Sequence, residues 1–204
     1  MEKSISTADI MSMGRHQRRD FINTLSGIKS AQLIGTIDRN GVANLGVFNS
    51  VVHIGASPPY LGFIMRPLSV DRQTYNNIKG QKHYTFNQIN VDIVEKAHQT
   101  AAKYPKGSSE FEATRLTPQF TESVRAPYVL ESKIKMGLEF VEEQYIKANH
   151  TWLIIGKVVE VLLPQDAIEA SGHLDLAQWG GVGVSGLDTY YQLDKLVRLG
   201  YPRP

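Results

Sequence analysis

Asn44-Leu45-Gly46-Val47-Phe48-Asn49-Ser50, then Ser57-Pro58-Pro59-Tyr60-Leu61-Gly62-Phe63-Ile64-Met65-Arg66-Pro67, then Asp71-Arg72-Gln73-Thr74-Tyr75-Asn76-Asn77-Ile78, then Tyr84-Thr85-Phe86-Asn87: the stretch from Asn44 to Asn87 decides how this chain is read. A polar turn bearing Asn49 and Ser50 leads to a Pro-Pro corner and a short apolar strand. Arg66 closes that strand, and Thr74 opens a helix. Such a segment can surround an elongated anionic ligand. The amides and side chains of the turn face a polar ring edge. The Arg and the helix N-terminus hold a phosphate, because the first helical N–H groups lack internal partners and sit at the positive end of the helix dipole.

Outward from this stretch the pattern is β-rich. Residues 15–29 read as a lead-in with a short helix from Phe21 to Leu25. Ala31 to Ile37 and Val42 to Phe48 read as paired strands. Asp38-Arg39-Asn40-Gly41 joins them, with positive φ expected at both central positions of an Asn-Gly turn. Val51 to Ile54 and Tyr60 to Met65 read as strands on either side of Ala56-Ser57-Pro58-Pro59. Gln73 to Lys79 reads as a helix with Gly80 at its end. His83 to Ile89 alternates as a strand, and Val91 to Tyr104 reads as a helix stopped by Pro105-Lys106-Gly107. Tyr128 to Met136 and Thr151 to Leu163 read as long strands, followed by a Gly-rich, aromatic tail from Ala177. The fold class is mainly β, a β-rich α+β barrel with short helices and a helical insertion, in one domain over residues 1–204.

Composition narrows the function classes. The chain has 204 residues, 42% hydrophobic and 21% charged, with a net charge of +2, too small to argue for nucleic acid or a membrane surface. It has no cysteine, which excludes disulfides, thiolate nucleophiles and Cys-based metal sites and fits a cytoplasmic location. The first twenty residues lack a signal-peptide apolar core, and no apolar run approaches the ~20 residues of a spanning helix. The six histidines form neither an HExxH nor a His-x-x-x-His pair, so no metal is expected. Among them His150 stands out, because it opens the strand Thr151 to Leu163 and its polar tip can reach a bound ring from a barrel rim.

Gly181-x-Gly183-x-x-Gly186 spells the dinucleotide fingerprint, but that motif needs a strand before it and a helix after it. Leu176 to Trp179 is a poor strand, Leu187-Asp188-Thr189-Tyr190 is a poor helix opening, and a loop near a ligand or subunit contact is the better reading. No serine stands in a Gly-x-Ser-x-Gly elbow, and Glu142-Glu143 reads as a solvated face or turn. No catalytic residue is assigned. A bound redox cofactor accounts for this, since such a cofactor carries the hard chemistry itself.

Six pieces in series resemble the flavin-reductase-like family. They are Asn44 through Pro59, Arg72-Gln73-Thr74-Tyr75-Asn76-Asn77-Ile78, Tyr84-Thr85-Phe86-Asn87, Phe111-Glu112-Ala113-Thr114-Arg115-Leu116-Thr117-Pro118, His150 through Val158, and Gly186-Leu187-Asp188-Thr189-Tyr190-Tyr191. The resemblance implies a Greek-key split barrel, usually a homodimer, with FMN near the subunit boundary. It places Asn44, Phe48, Asn49 and Ser50 at the first flavin loop, with Asn49 and Ser50 bonding the ring edge or ribityl chain or else forming an ordinary turn. It places Arg66, Arg72 and Thr74 at the phosphate, where Thr74 can also cap its helix and Arg72 can equally be a plain surface residue. It places His150 near the ring. Arg115 departs from the family pattern, either assisting anion binding or simply exposed, and Ser50 stands where an aromatic residue is frequent. Tyr190 is a further residue that can reach the site from the tail.

The function implied is an FMN-binding oxidoreductase that moves hydride and electrons between NAD(P)H, flavin and a small-molecule or protein acceptor. The alternatives are a flavin-binding carrier or sensor without its own NAD(P)H reductase activity, and a barrel whose flavin site has degraded.

Overall fold

Two short helices, α1 (Thr7–Ser12) and α2 (Arg15–Leu25), precede a two-residue strand β1 (Lys29–Ser30). Helix α2 starts earlier than the Phe21–Leu25 helix read from sequence, and neither helix buries a residue. The computed structural model describes residues 1–105 and 107–203.

The barrel begins with β2 (Gln32–Ile37), β3 (Ala43–Phe48), β4 (Val51–Ala56) and β5 (Pro59–Met65). Helix α3 (Gln73–Gln81) and strand β6 (His83–Gln88) follow. The helical insertion is a 3-10 turn at Val91–Ile93, α4 (Val94–Gln99) and α5 (Glu110–Thr114). After the small pair β7 (Pro118–Gln119) and β8 (Tyr128–Val129) come two twelve-residue strands, β9 (Lys135–Ile146) and β10 (Thr151–Leu162). The tail forms a hairpin of β11 (Val182–Ser185) and β12 (Thr189–Gln192), with β1 on its other edge.

Seven strands make one antiparallel sheet in the order β3-β2-β6-β9-β10-β5-β4. Strands β3 and β4 are its opposite edges, yet only Asn49 and Ser50 separate them in sequence. In a flat sheet of seven strands those edges would lie about 29 Å apart. Two connecting residues span at most about 11 Å. The sheet is therefore rolled until its edges meet at Asn49-Ser50, a barrel split along that line.

Alternation assigns the faces. Ile34, Phe63, Tyr84, Phe86, Leu138 and Ile154 point inward to a buried cluster, where the Phe63 ring meets Tyr84 and Phe86 edge-on at 5.9 Å each. Leu33, one residue from Ile34, points outward and packs with Ile93, Phe111, Leu116, Val182 and Val184 under the helical insertion and tail hairpin. Thr85 and Asn87 share that outer face, where Thr85 Oγ1 donates to the Pro127 carbonyl at 2.6 Å and Asn87 Nδ2 to the Leu33 carbonyl at 3.1 Å.

The structure corrects several sequence readings. Of the Asp38–Gly41 turn only Gly41 has positive φ, at 85°, because Asp38 Oδ1 accepts the N–H groups of Asn40 and Val42 and holds a different turn. Helix α3 runs through Gly80 and ends at Lys82, which takes the left-handed conformation at φ 64°. The helix read from Val91 to Tyr104 stops at Gln99, where Thr100 Oγ1 takes the Ala97 carbonyl and the chain continues in tight turns. Lys106, part of its expected stop, lies outside the described residues. The strand read over Tyr128 to Met136 is the short β8, a turn and the first residues of β9. Glu142 and Glu143 lie within β9, exposed and half-buried, so of the two readings the face holds and the turn does not. The Gly181–Gly186 run is no loop: it supplies β11, paired with both β12 and β1.

Candidate functional site

Edge strand β3 builds one wall of a cavity of about 470 Å³ at the barrel's split. The crossover Asn49-Ser50, the end of β5 from Ile64 to Arg66, and residues 71–74 at the start of α3 build the others. Thr100, Ala101 and Glu110 from the helical insertion, Leu187 from the tail hairpin and Asn23 from α2 complete it. Seven of the nine residues singled out in sequence meet here: Asn44, Phe48, Asn49, Ser50, Arg66, Arg72 and Thr74. They converge because the split brings β3, β5 and α3, all from one stretch of chain, around one opening.

At one end stands the N-terminus of α3. The helix's first internal bond runs from Asn76 N–H to the Arg72 carbonyl at 3.0 Å, so the N–H groups of Gln73, Thr74 and Tyr75 have no helical acceptor. Arg72 is the N-cap residue and provides no side-chain cap. Thr74 therefore does not cap the helix: it is the second helical residue, and its Oγ1 accepts from Asn44 Nδ2 at 3.2 Å. Asn44 also donates to Thr36 Oγ1 at 3.3 Å, as does Asn77 at 3.1 Å, which ties β2, β3 and α3 together beneath the site. Arg72 reaches the Pro67 carbonyl at 3.4 Å through Nε. Arg66 is exposed and makes no hydrogen bond or ion pair among the described residues.

Along the wall, β3 pairs only with β2. The Leu45 N–H points away from β2 and donates to Glu110 Oε2 at 3.0 Å. Val47 has the same parity, so its N–H and C=O turn toward the cavity. The crossover is held at both residues. Asn49 Nδ2 donates to the Gly186 carbonyl at 2.7 Å, docking the turn of the tail hairpin, and Ser50 Oγ donates to the Ile64 carbonyl at 3.2 Å. The Phe48 ring packs edge-on against Phe63 at 5.1 Å and links the wall to the barrel core. At Gly46 an added Cβ would lie 3.3 Å from the Phe48 ring and 3.9 Å from Thr74 Oγ1, so glycine keeps this wall open.

Glu110 was not legible as a site residue. It is 8% exposed, and burial raises its carboxyl above the ordinary range, partly offset by the Leu45 N–H. Thr100, Ala101, Asn23 and Leu187 carry no sequence signal of a ligand either.

Arg115 and His150 lie elsewhere. Arg115 is the exposed C-cap of α5 at φ 56°, on a separate groove with Phe111 and Phe120. His150 is exposed at the β9–β10 turn with φ 58°, and its Nδ1 shares a hydrogen bond with the Tyr145 hydroxyl. Tyr190 packs against the outer core and bonds His98 Nδ1 at 3.2 Å, while Leu187 of the same hairpin reaches the cavity. Among the described residues no three acidic or histidine side chains cluster to hold a metal, and no helix is long and apolar enough to cross a membrane.

The pattern of the flavin reductase like domain matches residues 28–180, three quarters of the sequence. The chain belongs to the flavin-reductase-like family. Among solved structures, a candidate flavin reductase with a split barrel domain from Shewanella frigidimarina is 45% identical, with a TM-score of 0.95 over 98% of this chain and 100% of that one. Nitrilotriacetate monooxygenase component B from Bacillus cereus is 19% identical, with a TM-score of 0.84 over 98% and 99%. The NADH:FAD oxidoreductase of Streptomyces globisporus is 12% identical, with a TM-score of 0.71 over 96% and 99%. The latter two are similar in fold. This flavin-reductase-like chain thus carries the family domain over residues 28–180, and its cavity lies where the barrel splits.

Proposed function

We propose that the protein binds FMN in the cavity at the split and is an NAD(P)H-dependent flavin oxidoreductase that passes electrons to a further acceptor. The observation that carries the reading is the pairing of unspent phosphate donors with an open strand edge in one cavity. The helix α3 amides, the unpaired Arg66 and the partly used Arg72 suit one phosphate. The outward N–H and C=O of Val47 suit the edge of a polar ring, and the cavity volume is in the range of cofactor sites.

In this reading Arg66 and Arg72 balance the phosphate charge, and Thr74 offers its hydroxyl proton, since its oxygen already accepts from Asn44. Asn49 has spent one amide proton on Gly186, leaving its Oδ1 for a ring or ribityl donor. Ser50 donates to Ile64, so its oxygen serves as an acceptor. Phe48, Ile64 and Met65 shield one side from water. Bound FMN supplies the hydride and electron transfer; the chain supplies position and charge. Arg115 and His150 stay in the proposal as residues that a second chain brings to the flavin across a homodimer boundary.

Titration with FMN and FAD, followed by anaerobic NADH and NADPH, tests the reading. FMN is expected to bind more tightly than FAD, and a nicotinamide nucleotide is expected to bleach the flavin absorbance. Equal or tighter FAD binding overturns the FMN preference. Binding without bleaching by either nucleotide leaves the carrier reading in place of the reductase.

A further inference from the structure

Glu110 is a buried carboxyl on the wall of the same cavity that gathers Arg66, Arg72 and the α3 amides. Its Oε2 is committed to the Leu45 N–H, a bond that supplies the edge strand β3 with an acceptor whether the carboxyl is ionised or neutral. The charged groups on the elements around it are Glu95, Lys96 and His98 on α4, and Glu112 and Arg115 at α5. Asp71, Arg66 and Arg72 stand across the cavity. None of these is a hydrogen-bond or ion-pair partner of Glu110 among the described residues. An ionised Glu110 is therefore a buried negative charge with no bonded counter-charge among the described residues, in a cavity suited to an anion. Burial alone already favours its protonated form.

We propose that Glu110 sets the charge the cavity tolerates: a phosphate-bearing ligand is bound with the Glu110 carboxyl protonated, so that binding takes up a proton from solution. This rests on the reading of the cavity as a flavin phosphate site. Two anions in one low-dielectric cavity repel, and the carboxyl relieves the repulsion by neutralising. A phosphate beside Arg66 and Arg72 has the opposite tendency and releases protons on binding, so uptake cannot come from the ligand.

The test is the dissociation constant of FMN and of riboflavin from about pH 5 to about pH 8, for wild type and Glu110→Gln. Glutamine keeps an acceptor for Leu45 and removes the charge. Comparing both proteins with one ligand at each pH cancels the ligand's own titration. The wild-type to variant ratio of dissociation constants is expected to climb with pH for FMN, by up to about tenfold per pH unit in the linked window. For riboflavin, which lacks the phosphate, it is expected to stay within about twofold. A ratio for FMN that does not change with pH, or one that climbs equally for riboflavin, overturns the proposal and leaves the flavin site standing. Failure of wild type to bind either flavin overturns the flavin site itself and this proposal with it. If Glu110→Gln does not fold, wild-type calorimetry in two buffers of different ionisation enthalpy decides. Net proton uptake with FMN and none with riboflavin supports the proposal, and equal counts overturn it.

Discussion

Arg66 carries the sharpest residue-scale prediction, because it lines the cavity with no partner among the described residues. Arg66→Ala is expected to weaken FMN by about ten- to a hundredfold, the worth of one charge-assisted hydrogen bond, and riboflavin much less. Equal weakening of both ligands would mean that Arg66 supports the barrel instead. Thr74→Ala should act in the same direction but less, since the α3 amides remain. Its stability cost comes from the lost Asn44 bond, on the order of 1 kcal/mol, and not from a lost cap. Glu110 adds a pH dependence. Its folded-state pKa is raised above 4.5, so the folded chain holds that proton more tightly than the unfolded one. The resulting stability is complete below 4.5 and is lost as pH rises through the raised value. Without ligand, the urea midpoint of Glu110→Gln should therefore improve relative to wild type between about pH 4 and about pH 8. A relative decline over that range contradicts the assigned direction. Asn44, Phe48, Asn49 and Ser50 were legible because they are neighbours in sequence. Glu110 meets Leu45 across a separation of 65 residues, which no local pattern encodes.

At the scale of elements, β9 shows why a strand can escape reading. Its register against β10 shifts at Ile155/Gly156, where Val141 is the extra residue, so the two-residue period of β9 breaks in mid-strand, while the second shift, at Val158/Glu160, adds Val159 to β10. Glu139, Glu142 and Glu143 fall on exposed or half-buried positions and mask the apolar face of Leu138. Glu143 is itself engaged, accepting from Tyr75 at 3.2 Å and Lys79 at 3.0 Å and so fastening α3 to β9. Strands β2, β3, β5 and β6 lack such interruptions on their own stretches and matched their sequence reading closely. The contact of β2 with the connection before β8 is tight. An added Cβ at Gly35 would stand 2.1 Å from the Pro127 carbonyl oxygen and 2.5 Å from Thr85 Oγ1. The first of these is backbone and cannot rotate away. Gly35→Ala is expected to cost roughly 1–3 kcal/mol, read as a lowered urea midpoint. It would also break the Thr85–Pro127 hydrogen bond, seen as loss of protection in that connection. An unchanged midpoint would show that the connection yields without cost.

For the whole molecule, the rolled sheet leaves an apolar outer face. Val52 and Ile54 on edge strand β4 are 39% and 40% exposed. Val52 is paired with Gly62, one residue from the inward Phe63, and Ile54 stands beside the same glycine along with Leu153 of β10, so these side chains border one outer surface. Contiguous exposed apolar surface on a water-facing sheet marks association. The tail beyond β12 adds Leu196, Val197, Leu199 and Tyr201, which are 61–97% exposed and bury little against their own chain. A homodimer covers such surface at the least cost in design, since one self-complementary patch serves both chains. Light scattering at micromolar concentration is expected to give twice the 22.8 kDa chain mass. Val52→Glu combined with Ile54→Glu is expected to shift the mass toward the monomer while keeping the fold, because both side chains are already exposed on the outer face of β4. If the dimer boundary also brings the partner's residues to the cavity, the same double variant should loosen FMN, although neither position lines the cavity. A wild-type chain that stays monomeric overturns the homodimer. A double variant that stays dimeric with unchanged FMN affinity places the interface on another face, with the tail as the remaining apolar surface.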